Sequence, residues 1–100
     1  LIGYANAFSV GSPSTLVTAG VVATNPVRIG GLYYFAAQTT GIGSDVYKIQ
    51  VSLNNSDWED LVTISANGVT QFYGVFDAIK AVKSSGSGTT ARVILLGLDK

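Results

Sequence analysis

The stretch VSLNNSDWEDLVTI concentrates side chains that could do chemistry. Asp57, Glu59 and Asp60 are three of the six acidic residues in the sequence. Together with Asn54 they offer the oxygen ligands that calcium takes, but their spacing lacks the Asp-x-Asp-x-Asn-Gly order of a calcium loop. Asp57 paired with Glu59 or Asp60 could instead supply the two carboxylates of a glycosidase. No matching series of aromatic residues that would line a sugar groove accompanies them.

The same turn also has a structural interpretation, which we favour. Asn and Asp side chains accept hydrogen bonds from the backbone of their own turn, and acidic residues keep an exposed loop solvated. Because the turn lies between two apolar, alternating runs, it predicts the tip of a β-hairpin with Asn54 and Asn55 at the bend. Trp58, the only tryptophan, is expected at the edge of this hairpin, folded back over the core.

Other groups that could support catalysis are absent from the sequence. It has no histidine, the commonest general base, and no cysteine, so thiol chemistry and disulfides are excluded. The segment SSGSGTT lacks the lysine and the strand-to-helix setting of a phosphate-binding loop and predicts a flexible connection. Ser12, Ser14 and Ser87 have no base placed beside them by any motif. We therefore predict a protein that is not an enzyme and that holds no metal or cofactor.

The composition bounds the class of partner. Charged residues make up 12% of the chain, against roughly 25% in ordinary soluble domains, and 47% of its residues are hydrophobic. Since interface cores are depleted in charge, this balance favours a domain buried against neighbours. A neutral monomer covered by Ser and Thr is the alternative. The six basic residues are scattered and offset by six acids, which argues against nucleic-acid binding. No apolar run approaches the roughly 18 residues of a membrane span.

Short runs rich in Val, Ile, Thr and Tyr, separated by turn residues, predict about eight strands and almost no helix. The predicted strands are Ala5 to Val10, Leu16 to Ala23, Val27 to Ile29, Leu32 to Thr39, Val46 to Leu53, Leu61 to Ser65, Val69 to Tyr73 with Ala78 to Lys83, and Arg92 to Leu98. Asn67 and Gly68 lie between two apolar runs and are typical of a hairpin turn, since both tolerate positive φ.

These strands predict an all-β fold, an antiparallel two-layer β-sandwich similar to a jelly roll. A small β-barrel is the main alternative. The predicted organisation is one domain, residues 1–100, with a short apolar N-terminal segment at about residues 1–9. Because the chain opens without an initiating methionine or a charged leader, we expect a fragment or a processed product with no signal peptide.

Two predicted strands are apolar on both faces. The three aromatic residues of GLYYFAAQ cannot all face one core, and RVILLGL is apolar beyond its first residue. Such a strand either lies between two layers or contributes surface that another chain buries. We predict an interface made of these two runs and the N-terminal segment. Its residues are Leu1, Ile2, Tyr4, Phe8, Tyr33, Tyr34, Phe35, Ile94 and Leu96. By default most aromatic residues are expected in the core, and any that are exposed would offer a subunit interface or a sugar-stacking platform. They are Tyr33, Tyr34, Phe35, Phe72, Tyr73 and Phe76.

Two segments carry a resemblance to a known group of proteins. VSLNNSDWEDLVTIS has the order strand, serine, turn, tryptophan, strand, with Asn54-Asn55 where Asp-Gly is usual. Downstream, GVTQFYGVFDAIKAVKSSGSGTTARVILLG combines an IKAVKS strand, a Gly/Ser loop and a final apolar strand ending in Gly. Over about residues 46–97 the chain resembles β-sandwich proteins of tailed-bacteriophage virions, which form head decorations, head fibres, necks or tail accessories. A related hairpin occurs in discoidin-like carbohydrate and lipid binders.

The resemblance implies a structural role as a capsid decoration (cement) or head-attached protein that contacts the major capsid protein or other virion proteins. It also implies a homo-oligomer, a trimer around a local threefold axis, in the virion and, during assembly, in the host cytoplasm. The alternative function is a carbohydrate-binding or adhesin module, which exposed aromatic residues would serve. A small hydrolase that uses the acidic turn is a third hypothesis.

Overall fold

A computed structural model describes residues 13–99, which form eight β-strands and no helix. The strands are β1 (Ser14–Val17), β2 (Val27–Arg28), β3 (Tyr34–Thr40), β4 (Val46–Ser52), β5 (Glu59–Ile64), β6 (Gly68–Tyr73), β7 (Ala78–Ser85) and β8 (Arg92–Leu98). The all-β prediction is confirmed, and the strand predicted at Ala5 to Val10 lies outside the described residues. β1 ends well before Ala23 because Ala19 and Gly20 have positive φ angles of 51° and 63°.

The strands form two antiparallel four-stranded sheets. The first sheet has the order β1-β8-β3-β6, and the second sheet has the order β2-β7-β4-β5. The first described strand pairs with the last, and within residues 13–99 only the β4–β5 connection stays in one sheet. Eight antiparallel strands connected in this way form a jelly roll, so the two-layer sandwich is confirmed in place of the barrel. Among the described residues no helix is long and apolar enough to cross a membrane.

The core lies between the sheets and is built from every second residue of the inner strands. On β4, Tyr47, Ile49 and Val51 are buried, as the alternation of VYKIQVS predicts. Strands β3, β7 and β8 contribute in the same way, through Phe35, Ala37, Ile79, Ala81, Val93 and Leu95. Burying a Val, Leu, Ile or Phe side chain stabilises a fold by about 1.5–3 kcal/mol. This core fixes which side of each sheet faces outwards.

The Asn67-Gly68 turn is not a hairpin, which corrects the prediction. β5 belongs to the second sheet and β6 to the first, so the turn carries the chain across the sandwich. The Asn67 side-chain carbonyl accepts a hydrogen bond from the N–H of Ile42 at 3.0 Å, in the β3–β4 connection. An Asn-Gly pair provides a sharp bend, but the burial of each strand's apolar face decides which sheet the strand joins.

The β1–β2, β3–β4, β5–β6 and β7–β8 connections meet at one end of the sandwich, the loop end. The N–H of Gly20 donates to the carbonyl of Ala91 at 3.0 Å, and the Thr90 hydroxyl donates to the carbonyl of Gly41 at 2.7 Å. Gly41 has a φ of 64°, and a Cβ at this position would collide with the Thr90 carbonyl oxygen. The loops therefore touch backbone to backbone.

A buried ion pair anchors the glycine-rich β7–β8 connection. Asp45 is 1% exposed, and its Oδ2 lies 3.2 Å from Lys83 Nζ. Asp45 Oδ1 accepts the N–H of Gly88 at 2.9 Å, and Lys83 Nζ donates to the Gly88 carbonyl at 2.9 Å. The hydrogen bond from Gly88, followed by the Lys83 ammonium, holds the pKa of Asp45 below its usual range although burial opposes this. The composition of this connection predicts flexibility, but the Asp45–Lys83 pair and its hydrogen bonds to Gly88 hold it in place.

Candidate functional site

The acidic turn between β4 and β5 is held by hydrogen bonds among its own residues. β4 and β5 pair antiparallel, so residues 53–58 connect a hairpin. Asn54 Oδ1 accepts the N–H groups of Ser56 and Asp57 at 3.0 and 2.8 Å, and Asn54 Nδ2 donates to Asp57 Oδ2 at 2.8 Å. Asn55 has a φ of 59°, in the left-handed region that Asn enters more readily than most residues. The geometry is that of a turn capped by its own Asn side chain.

Asp60 is engaged with the neighbouring strand. Its Oδ2 lies 3.1 Å from Lys48 Nζ, and its Oδ1 accepts a hydrogen bond from Gln50 Nε2 at 2.8 Å. These two donors, Gln50 foremost, hold the pKa of Asp60 below its usual range. Across residues 13–99, no group of three or more acidic side chains is arranged to hold a metal ion. An open hollow of about 590 Å³ lies beside the turn, but Asp57 and Asp60 at its rim already have partners.

Trp58 lies on the outer face of the second sheet, which corrects its predicted position over the core. Lys80 Nζ lies 4.4 Å from the centroid of its ring, within the range of a cation–π contact. Trp58 is half-buried but is not among the side chains that pack against the core. Lys80 is next to Gln50 in the register of β7 and β4. Together with the Lys48–Asp60 pair, these residues give the second sheet a charged outer face.

The outer face of the first sheet is largely apolar across three of its strands. In the described strands of this sheet, Arg92 is the only charged residue. Three rows of side chains cross β8, β3 and β6 on this side. The rows are Leu98-Tyr34-Tyr73, Leu96-Ala36-Gln71 and Ile94-Gln38-Val69. We call these nine residues the apolar face. Seven of the nine are apolar or aromatic, and the other two, Gln38 and Gln71, are uncharged amides. Exposed apolar side chains that group in this way are candidates for contact with a partner.

Three tyrosines cluster at one end of the apolar face. The ring centroids of Tyr33 and Tyr34 are 4.8 Å apart, and Tyr73 lies 5.8 and 6.2 Å from them. Tyr34 and Tyr73 are 46% and 67% exposed. An open hollow of about 480 Å³ continues from these rings over Leu96 and Leu98. Aromatic rings that are open on one side can pack against another protein or stack on a sugar ring.

The structure sorts the predicted interface residues into three groups. Tyr34, Ile94 and Leu96 lie on the apolar face, and Tyr33 lies in the adjoining tyrosine cluster. Phe35 does not: it is 3% exposed and stacks on Phe72, with ring centroids 5.2 Å apart. The alternation of β3 turns Phe35 inwards between two outward neighbours, so its prediction as an interface residue is wrong. The predicted positions outside the described residues are Leu1, Ile2, Tyr4 and Phe8.

Three exposed hydrophobic members of the apolar face are absent from the predicted interface. Tyr73 is among the aromatic residues expected mostly in the core, and neither Val69 nor Leu98 is a predicted interface residue, yet the three are 67%, 63% and 41% exposed. The alternation in GVTQFY places Val69 and Tyr73 on one side and Phe72 on the other. Because Phe72 packs against the core, this period of two was the signal that could have identified the exposed pair.

Comparisons with protein-family models, with curated proteins and with solved structures give no match to this chain. A functional assignment therefore depends on the geometry of the described residues. That geometry offers a self-bonded acidic turn, one charged outer face and one apolar outer face with an aromatic cluster.

Proposed function

We propose that this protein is a non-enzymatic structural protein of a virion, a capsid decoration or head-attached protein of a tailed bacteriophage. The observation that carries the proposal is the difference between the two outer faces of the sandwich. The second sheet presents Lys48, Lys80 and Asp60, whereas the first presents the apolar face. The resemblance over residues 46–97 and the frequent use of jelly rolls in viral capsids support the virion setting.

The size of the apolar face fits a role that depends on repetition. Its three rows span five residues along each of three strands, so the face covers roughly 17 by 14 Å, or about 240 Å². A stable interface between two proteins buries about 800 Å² on each side. One copy would therefore bind weakly, and an oligomer that meets many identical sites on a symmetric shell would gain its affinity from avidity.

Binding to empty capsids of the phage that encodes the chain is the direct test. Wild-type protein is expected to co-sediment with the capsids. Ala36→Lys places a charge at the centre of the apolar face and is expected to abolish binding, because a lysine there must lose its hydration. Gln50→Lys places the same charge at the centre of the opposite face, and this control is expected to bind like wild type. Wild-type protein that stays in the supernatant, or equal binding by both variants, would overturn the proposal.

The tyrosine cluster favours a second candidate function, a carbohydrate-binding module. Tyr33, Tyr34 and Tyr73 offer stacking surfaces beside an open hollow. Glycan-array binding by wild type that is lost in Tyr34→Ala and in Tyr73→Ala would support it. Trp58→Ala is the matched control, since Trp58 lies on the other outer face. Absence of any glycan signal from wild type would remove this candidate.

A further inference from the structure

Strand β6 is an edge strand of the first sheet in the part of the chain that the structure describes. It pairs with β3 from Gly68 to Tyr73 without a register shift, and in residues 13–99 no strand pairs with its other side. The N–H of Gly74 donates to the carbonyl of Tyr33 at 3.0 Å, which shows which residues point towards β3. Because the direction of the backbone groups alternates, the N–H and C=O groups of Val69, Gln71 and Tyr73 point to the open side.

The other edge strands of the described sandwich carry features that discourage pairing with another chain. β5 contains Glu59 and Asp60 and has a register shift against β4. β1 has a register shift against β8, and β2 is only two residues long and follows Pro26. Charges, prolines, bulges and short length are the devices by which proteins block their sheet edges. β6, with the sequence GVTQFY, has a full-length ladder and no charge, proline or bulge.

We propose that β6 is the pairing edge for a second copy of this chain, in an antiparallel arrangement that joins two first sheets into one continuous sheet. In one register the twofold axis passes between Gln71 and Gln71 of the second copy. Val69 of each copy then faces Tyr73 of the other. Every N–H and C=O that these three residues direct at the open side then finds a partner. Shifting the register by two residues leaves some of these N–H and C=O groups without a partner. Backbone hydrogen bonding therefore favours the register centred on Gln71.

The side chains agree with the backbone pairing. Val69 and Tyr73 are both exposed on the apolar face, and the twofold axis brings each against the other across the new pair of strands. Aromatic and β-branched residues are favourable cross-strand partners. The formal charge of each copy is zero and β6 has no ionised side chain, so little electrostatic repulsion opposes the approach.

This pairing is separate from the proposed virion role. It uses the edge of the first sheet and leaves most of the apolar face open to a further partner. It also differs from the threefold oligomer that the resemblance implies. A six-residue edge buries less than the roughly 800 Å² per partner of a stable interface, so we expect a dimer that dissociates on dilution.

Sedimentation equilibrium over a range of protein concentrations tests the stoichiometry. Wild type is expected to pass from the 10.4 kDa monomer to a dimer as concentration rises. Gln71→Lys sets two like charges opposite each other, so the dissociation constant is expected to rise by up to about fivefold. Gln38→Lys makes the same change on the same face one strand further in, and we expect it to dimerise like wild type. Circular dichroism confirms that each variant is folded.

A disulfide tests the register. The chain has no cysteine, so a single introduced cysteine is unambiguous. Facing residues in a hydrogen-bonded antiparallel pair have Cα atoms about 5.5 Å apart, within the range that a disulfide spans. Gln71→Cys is expected to form a covalent dimer on mild oxidation, whereas Gln38→Cys is not. A wild-type monomer at all concentrations, a trimer, or equal behaviour of the residue 71 and residue 38 variants would overturn the proposal.

Discussion

Tyr47 joins the centre of the core to a loop, and its replacement by Phe isolates one hydrogen bond. The Tyr47 side chain on β4 is fully buried, and its hydroxyl donates to the carbonyl of Val21 in the β1–β2 connection at 2.6 Å. Tyr47→Phe keeps the ring in the core and removes only the hydroxyl. It therefore measures the contribution of this hydrogen bond with little change in packing.

At neutral pH we expect Tyr47→Phe to lower the free energy of unfolding by about 1 kcal/mol, the typical net contribution of an intramolecular hydrogen bond. Val21 is 36% exposed, so its carbonyl can turn towards water in the variant. The loss of stability should therefore be smaller than the cost of leaving a fully buried carbonyl without a hydrogen bond. For a domain of this size, a loss of about 1 kcal/mol lowers the melting temperature by roughly 4–8 °C.

At alkaline pH the difference between the two proteins should shrink. Burial raises the pKa of Tyr47 above its ordinary value of 10.0, and the nearby Lys83 ammonium opposes this only in part. In the unfolded chain the hydroxyl ionises at its ordinary pKa. The unfolded state therefore gains stability first as the pH rises above 10, and the wild type loses up to about 1.4 kcal/mol per pH unit from this group. Tyr47→Phe has no hydroxyl to ionise at this position, so its stability does not fall with pH for this reason.

Urea unfolding, followed by circular dichroism at a series of pH values from 7 to 11, measures both effects. Tyr34→Phe is the matched control at neutral pH, since Tyr34 is exposed and its change should stay within about 0.5 kcal/mol. Equal stability of Tyr47→Phe and wild type at pH 7, or a difference in their free energies of unfolding that stays constant up to pH 11, would contradict this prediction.

Three further changes test the core and the anchored loop. Ile49→Ala empties a fully buried site on a central strand, and urea unfolding should show a loss of about 2–5 kcal/mol. Gly86→Ala would force a Cβ against the Asp45 carboxylate at a φ of 98°, so faster amide exchange at Gly88 and a lower melting temperature are expected. Ser87→Ala, next to it, should leave both unchanged. The lowered pKa of Asp45 stabilises the fold above its ordinary pKa of 3.8, and this contribution is lost as the pH falls below that value. Asp45→Asn should therefore flatten the acid limb of a plot of stability against pH; an unchanged limb would contradict the assignment.

The fold class could be predicted from local patterns, whereas the pairing of strands could not. In VYKIQVS the alternation alone places Tyr47 and Ile49 in the core, because one face of the sheet is buried. The Asn67-Gly68 turn predicts a bend equally well for a hairpin and for a crossing between sheets. The sheet that β6 joins depends on β3, about thirty residues earlier in the chain, and no local pattern records that pairing.

The acidic turn could be interpreted correctly because its chemistry is local. Asn54 bonds to residues two and three positions ahead, which is the behaviour expected of Asn in a turn. The tyrosine cluster depends instead on the register that sets Tyr34 opposite Tyr73. The Asp45–Lys83 pair joins residues from two different strand ends and converts a glycine-rich segment into an anchored loop. A glycine-rich composition predicts that a segment is flexible, but it does not show which residues elsewhere in the chain will hold that segment in place.

The contacts at the loop end restrict where foreign sequence can be grafted into this protein. Backbone from three connections is in direct contact around Gly20, Gly41 and Thr90, so an insertion in any of them would wedge its neighbours apart. The opposite end carries the acidic turn, where Leu53 and Ser56 are exposed to solvent. A peptide epitope or a fused domain inserted next to Ser56 would extend away from the sandwich and leave both outer faces and the β6 edge accessible, at the cost of one hydrogen bond to Asn54.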